Sequence, residues 1–312
     1  RENDMNIPVY VMAGFLDAGK TQFINGALED GLAATDRTLL LCCEEGEEEY
    51  DPLQMRNVTV VNVEDEEELT KAFLKECEKK HRPRQVVVEY NGMWSLDTLW
   101  LNLPDNWFIV QTFSFIEAAT FENYARNMAQ QTMEKVTKAD VLVFNRCTPQ
   151  LAETLRGRNL RMVNRRAQIY LEYPDGSSED YLTGEESPFD LDQEVIDIPP
   201  EDFGVWYVDV MDHPDRYEGR KLHTKVQMMR SAQYPGTMCP GRFAMVCCAD
   251  DIAFLGLLAK GEMLEQYKNK QWIEVTYQVG LDTHPAYGGA GPVMEMLEAA
   301  PCDKVEPEIL TY

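Results

Sequence analysis

The sequence predicts an α/β fold, a mainly parallel sheet covered by helices, followed by a small, mostly β domain. Three observations predict it. Short apolar runs alternate with amphipathic ones up to about residue 170, a glycine-rich loop joins the first strand-like run to the first helix-like run, and apolar runs spaced by Gly and Pro fill the chain after residue 203. Strand–helix alternation is the pattern of a parallel sheet with crossover helices. Short strands between Gly and Pro turns suit a barrel or sandwich.

The strand candidates of the first part are Ile7–Ala13, Thr38–Leu41, Val58–Val63, Gln85–Glu89, Trp107–Phe113 and Val141–Asn145. They are short, continuous and rich in Val, Ile and Leu, as strands buried on both faces are. Helices are expected at Thr21–Leu28, Glu66–Lys80, Phe115–Asn127 and Pro149–Arg156. Leu69, Phe73 and Leu74 mark one apolar face of the second. From Pro174 to Asp202 acids are frequent and Lys and Arg are absent, which reads as an acidic linker. The later strand candidates are Val205–Val210, Lys221–Met228, Phe243–Cys248 and Trp272–Gln278. The expected division is a first domain at 1–172, a linker at 173–202 and a mostly β domain at 203–312.

At 312 residues the chain is long enough for two domains. Its formal net charge of −25 repels phosphate backbones and anionic lipid heads, so nucleic acid and membrane surfaces are excluded as default partners. No run approaches the roughly 18 apolar residues of a membrane span, and no basic-then-apolar opening suggests a signal peptide. The eight cysteines include the adjacent pairs Cys42-Cys43 and Cys247-Cys248, and neighbours rarely bond to each other. The expected setting is reducing and cytoplasmic.

Gly14-Phe15-Leu16-Asp17-Ala18-Gly19-Lys20-Thr21 fits the phosphate-loop pattern G-x-x-x-x-G-K-[ST]. It follows an apolar strand and opens a helix, which turns backbone N–H groups and a helix N-terminus toward bound phosphates. This makes the first domain a P-loop NTPase. Gly14, Asp17, Ala18, Gly19, Lys20, Thr21 and Gln22 are the expected nucleotide-binding residues. Lys20 would reach the β- and γ-phosphates, and the Thr21 hydroxyl would hold Mg²⁺. The alternative is a glycine-rich turn with an unrelated Lys-Thr. Val86-Val87-Val88-Glu89 ends a strand on an acid, with Gly92 three residues on. Glu89 is therefore the second Mg²⁺ candidate and a catalytic candidate, against the alternative of a solvated strand end.

Five segments together resemble the CobW-like GTPases, of the CobW/HypB/UreG class, the last of them Arg161-Met162-Val163-Asn164-Arg165-Arg166-Ala167, which resembles the stretch after that family's Asn-Lys segment. The loop matches that family's Gly-Phe-Leu-x-x-Gly-Lys-Thr. Cys43-Glu44-Glu45-Gly46-Glu47, with Asp51 after it, resembles its Asn-Glu-Phe-Gly-Glu switch segment. Glu89-Tyr90-Asn91-Gly92 resembles its Glu-x-x-Gly, and Ala139-Asp140 through Asn145-Arg146 resembles its Ala-Asp-x-x-x-x-Asn-Lys. The resemblance covers about residues 7–170 and implies GTP with Mg²⁺. It implies Asn145 and Arg146 at the base, and Lys20, Glu44 and Glu89 as catalytic residues. Glu44 has the alternative of a solvated acid in an acidic run. Three departures stand out. Asp17 replaces a loop glycine, Thr148 stands where the guanine-reading acid is expected, and the family's Cys-x-Cys-Cys is missing. Loss of that acid weakens guanine discrimination.

In the second domain, Tyr217-Glu218-Gly219-Arg220-Lys221 leads into a strand, as in OB-like barrels. With Arg242 through Asp251 and Trp272-Ile273-Glu274-Val275, it resembles the C-terminal domain of a bacterial family paired with membrane permeases. That family carries a Cys-Cys-Ala-x-Asp signature, and the resemblance covers about residues 204–312. Thiolates suit soft metals, so Cys239, Cys247 and Cys248 with Asp250, or with His213, His223 or His284, are candidate ligands for Zn²⁺. The alternative is that one cysteine is core and the other half-exposed.

The expected function is a nucleotide switch that hydrolyses GTP slowly in metal homeostasis or delivery. Its expected partners are a metal-dependent client or a membrane permease, and a second copy of the chain. Two alternatives stay open: a non-catalytic, nucleotide-gated partner of a permease, and a degenerate P-loop protein that prefers ATP or lacks turnover.

Overall fold

The computed structural model describes residues 6–44, 46, 49–182, 187–245 and 251–311. The chain forms two compact units, residues 1–157 with 166–183 and residues 158–165 with 184–312.

The first unit runs β1 (Ile7–Gly14), α1 (Lys20–Glu29), β2 (Thr38–Cys42), β3 (Val58–Asn62), α2 (Lys71–His81), β4 (Gln85–Glu89), α3 (Leu96–Asn102), β5 (Trp107–Glu117), α4 (Phe121–Asn127), α5 (Ala129–Thr137), β6 (Val141–Asn145) and α6 (Pro149–Arg156). After the α7 segment of the other unit (Leu160–Val163), β7 (Gln168–Glu172) and β8 (Ser178–Asp180) complete it. The sheet order is β3-β2-β4-β1-β5-β6-β7-β8. Every pair is parallel except β7 with β8. Each residue of β2, β4 and β6 is buried, as covering helices on both faces demand. Alternation along the strands splits their side chains between two cores. Val9, Val11, Leu39, Leu41, Val86 and Val88 join one core with Leu74 of α2 and Leu99 of α3. Met12, Leu40 and Val87 join the other with Ile24 and Leu28 of α1.

Two of the expected helices begin later than the apolar pattern suggested. Phe115–Glu117 extends β5, because these residues pair with Val143–Asn145 inside the sheet. The helix expected from Glu66 begins as a 3₁₀ turn, Glu66–Glu68, and α2 starts only at Lys71. There the Thr70 hydroxyl accepts from the N–H of Phe73 at 3.2 Å and caps the helix.

The second unit contains α7, β9 (Ile196–Asp197), α8 (Phe203–Asp212), α9 (Pro214–Tyr217), β10 (Lys221–Gln227), β11 (Gly241–Met245), β12 (Ile252–Gly256), β13 (Leu258–Lys260), β14 (Trp272–His284), β15 (Gly289–Pro301) and β16 (Ile309–Thr311). The sheet order is β12-β11-β10-β14-β15-β13, with β9 on β10 and β16 on β11. β12 and β13 are separated only by Leu257, yet β12 pairs with β11 and β13 with β15 at the opposite end of the order. One stretch of chain therefore serves both ends of the sheet, which is nearly closed as a barrel.

The run Val205–Val210, expected as a strand, lies in helix α8. A continuous apolar run fits a buried helix as well as a buried strand, and Phe203, Trp206 and Val210 are fully buried here. Residues 158–165 join this unit because Arg161 and Arg165 both pair with Asp212, at 2.8 and 3.3 Å. The stretch 173–202, expected as a linker, carries β8 in the first sheet and β9 in the second, with Ile196 and Ile198 buried.

Gly241 sits where a Cβ would lie 2.0 Å from the Leu255 carbonyl oxygen and 2.7 Å from Gly256 Cα. Backbone cannot yield there as a flexible side chain can. Gly241→Ala is expected to destabilise the second unit by about 1–3 kcal/mol, read as a lowered melting transition.

Candidate functional site

The parallel strands bring the ends of β1, β2, β4, β5 and β6 to one edge. Met12 and Cys42 both align with Glu89, Gly14 aligns with Phe115, and Glu117 with Asn145. The carboxyl edge of such a sheet is where ligands bind in open α/β folds. The loop from Gly14 to Lys20 lies on it.

Gly14 and Gly19 have φ of +152° and +91°, backbone that L side chains rarely adopt. A Cβ on Gly14 would also stand 2.6 Å from the Phe115 carbonyl oxygen. Gly19 is the N-cap of α1 and offers no side chain, so the first N–H groups of this ten-residue helix have no side-chain cap. That is the arrangement of an anion site.

Lys20 is 4% exposed, and its ammonium donates to the carbonyls of Gly14 at 2.8 Å and Phe15 at 2.9 Å and to Glu44 Oε2 at 2.6 Å. An ammonium has three donors, and all three are engaged. The Thr21 hydroxyl donates to Glu89 Oε1 at 2.5 Å. Tyr50 donates its hydroxyl to Glu89 Oε2, and the Cys42 thiol lies 3.7 Å from the same oxygen. Burial pushes the Cys42 thiol up, and the Glu89 charge adds to the shift. Burial, then Glu89, likewise raises the Tyr50 hydroxyl far above its ordinary range. Both groups therefore stay protonated.

These residues surround a cavity of ≈ 210 Å³ lined by Leu16, Asp17, Gly19, Lys20, Thr21, Glu44, Gly46, Glu89 and Arg146. Gly14 and Ala18 belong to the loop without being among these lining residues, and Gln22 is exposed on α1. Asn145 donates to the Ala18 carbonyl at 2.6 Å, and its own buried Oδ1 has no hydrogen-bond partner among the described residues. Arg146 reaches the Asp17 carbonyl at 3.2 Å and Glu117 at 3.5 Å. Thr148 is the N-cap of α6, where its hydroxyl accepts from the N–H of Leu151 at 3.2 Å.

Sequence reasoning missed two participants. Tyr50 holds the second oxygen of Glu89. Lys135 of α5 is 2% exposed and donates to the Gly92 carbonyl at 2.6 Å and the Gln131 carbonyl at 3.1 Å. It also lies 4.4 Å from the centre of the Phe15 ring, whose other neighbour is Tyr124 at 4.4 Å between centroids. Neither residue belongs to a local motif, so no spacing announces it.

Of the transition-metal candidates, Cys247, Cys248 and Asp250 lie outside the described residues. Cys239 is half-buried, and burial raises its thiol. His223 is bracketed by Asp197 on Nδ1 at 2.8 Å and Glu274 on Nε2 at 3.0 Å. His284 accepts from the N–H of Ala286 at 3.1 Å. Among the described residues no group of three or more His, Cys, Asp or Glu could hold a metal ion. No helix among them is long and apolar enough to cross a membrane.

Residues 8–170 match the model of the CobW/HypB/UreG nucleotide-binding domain, a match across more than half of the chain. The chain belongs to the CobW/HypB/UreG family. Residues 176–308 match the DUF1980 C-terminal domain. No curated protein matches the chain. Among solved structures, the Zn(II)-bound YjiA GTPase from E. coli is similar at 17% identity and a TM-score of 0.42, over 80% of this chain and 88% of that one. The hydrogenase maturation factor HypB from Archaeoglobus fulgidus is similar at 15% identity and a TM-score of 0.37, over 58% and 87%. HypB from Helicobacter pylori in complex with nickel is similar at 10% and a TM-score of 0.34, over 53% and 78%.

In this CobW/HypB/UreG domain, burial lowers Lys135 from the ordinary 10.5 to about 8, against the opposing pull of Glu134. Between pH 8 and 10.5 the unfolded chain binds the proton and the folded one releases it, so folding gains as pH rises. Wild-type stability relative to Lys135→Met is therefore expected to rise across that window. Melting curves at pH 7.5 and 10 measure it, and a difference that stays flat or falls contradicts the assignment.

Proposed function

We propose that the first domain binds GTP with Mg²⁺ and hydrolyses it slowly, as a switch in metal homeostasis or delivery. The observation that carries this reading is the pairing of the phosphate loop with Glu89, 2.5 Å from the Thr21 hydroxyl. A hydroxyl and a carboxylate are hard oxygen donors and fit Mg²⁺. Thr21 and Glu89 would hold that ion, which when bound neutralises charge on the β- and γ-phosphates. The chain supplies the rest. Backbone N–H groups of the loop and of the first turn of α1 receive phosphate oxygens.

Lys20 has no spare donor, so a phosphate oxygen takes the place of an existing partner. Among the described residues its anionic partner is Glu44, at 2.6 Å, and exchange of one anion for another preserves the charge balance around a buried ammonium. Once displaced, Glu44 is the candidate to orient the attacking water. This exchange links nucleotide occupancy to the segment around Glu44, the essence of a switch. The second domain would hold a metal or dock a partner, and a metal-dependent client or a permease is the partner class drawn from the resemblance. A cytoplasmic setting and a homodimer belong to the same reading.

The test is direct. Purified protein with Mg²⁺ is expected to bind and slowly hydrolyse GTP, and Lys20→Ala is expected to abolish both. No affinity for GTP or ATP in the wild type sinks the proposal.

A second reading, weak base discrimination, is favoured by Thr148. Its hydroxyl is committed to capping α6, and a threonine brings no carboxylate to accept from guanine. Thr148→Asp keeps a capping side chain and adds that carboxylate. The GTP-to-ATP affinity ratio is expected to rise roughly tenfold or more, the scale of a charge-assisted bond. Competition binding measures it, and an unchanged ratio places base reading elsewhere.

A further inference from the structure

We infer that Lys135 is a positioning residue for the phosphate site: through the Gly92 carbonyl it fixes the turn after β4 against the phosphate loop. The inference rests on the nucleotide reading above.

A buried lysine calls for a reason. An apolar side chain of similar length would fill the same space without the cost of desolvating a charge. Lys135 is nevertheless 2% exposed, in a helix whose neighbouring buried residues are Thr132, Met133 and Val136. Its ammonium meets three distinct elements: its own helix at Gln131, the turn after β4 at Gly92, and the phosphate loop at the face of Phe15. The charged groups acting on it at longer range are Glu134, Lys20 and Glu44, and the last two belong to the phosphate site.

The turn and the loop touch backbone to backbone. A Cβ on Gly92 would lie 2.5 Å from Phe15 Cα and 2.6 Å from the Gly14 carbonyl oxygen. With no side chain at Gly92 to hold this contact, the two lysines hold it from both sides. Lys20 takes the carbonyls of Gly14 and Phe15, and Lys135 takes the carbonyl of Gly92. The Gly92 N–H in turn faces Glu44 Oε1 at 3.4 Å, on the same carboxylate that lies on Lys20. A phosphate oxygen that replaced Glu44 would meet Lys20 on one side and this N–H on the other. Most of the phosphate grip comes from the loop and Lys20, while the placement of the Gly92 N–H depends on Lys135. Loss of Lys135 should therefore slow the chemistry and leave affinity nearly intact.

The experiment uses the full chain with Mg²⁺–GTP and Mg²⁺–ATP, and reads melting temperature, nucleotide Kd and single-turnover rate together. For Lys135→Met, the rate is expected to fall about 10- to 100-fold, the scale of an ångström misplacement, with Kd within about threefold of wild type. Lys135→Gln keeps a neutral, shorter donor, and its rate is expected to fall between the two, roughly three- to tenfold below wild type. Three results overturn the inference: a methionine variant within twofold of the wild-type rate, rate and affinity falling in parallel, or a glutamine variant as slow as the methionine one. If the methionine variant does not fold, the glutamine variant decides. A threefold or greater loss at unchanged Kd supports the inference, and a wild-type rate overturns it. The two readings separate cleanly. Wild-type turnover abolished by Lys20→Ala beside an indifferent Lys135→Met removes this inference alone, whereas a wild type that binds neither nucleotide removes both.

Discussion

The contact between the Gly92 turn and the Gly14–Phe15 loop is the constraint around which the first domain is arranged. Two backbone segments meet with no space for a Cβ between them. Such a contact is affordable only if the carbonyls it crowds have donors. Lys20 and Lys135 supply them, and each is buried as a consequence. The parallel register of β1 with β4 sets the two segments side by side, and the hard oxygens of Thr21 and Glu89 come within 2.5 Å through the same alignment.

Much of this was legible in the chain because the relevant residues are contiguous. The eight residues from Gly14 to Thr21 carry their own turn, donors and helix start. Glu89 is visible because a run of valines ends on an acid. Tyr50 and Lys135 were not visible, since they reach Glu89 and Gly92 across 39 and 43 residues. A tyrosine in an acidic stretch and a lysine beside a glutamate, Glu134, both look like surface. Only the sheet, once formed, brings them inward.

The second domain shows the opposite limit. Strand β10 and the first half of β14 were readable, β12, β13, β15 and β16 were not, and the run at Val205–Val210 fits two structures equally well, of which the helix won. Its aromatic residues pack into a closed core, Phe203 and Trp206 at 5.3 Å and Trp206 and Tyr277 at 5.9 Å between ring centroids. Burial on every side erases the period that distinguishes a helix from a strand. The acidic stretch misleads in a related way, because Ile196 and Ile198 are enough to seat it against β10.

The strand that runs from β12 through Leu257 into β13 has a consequence for recognition. An open sheet invites a foreign strand to add itself to an unpaired edge. Here the same stretch of chain occupies both ends, and the short strand β16 lies along β11 as well. The two ends are therefore tied to each other through a single residue, Leu257, so a strand added beyond either one would lie against the same stretch of chain.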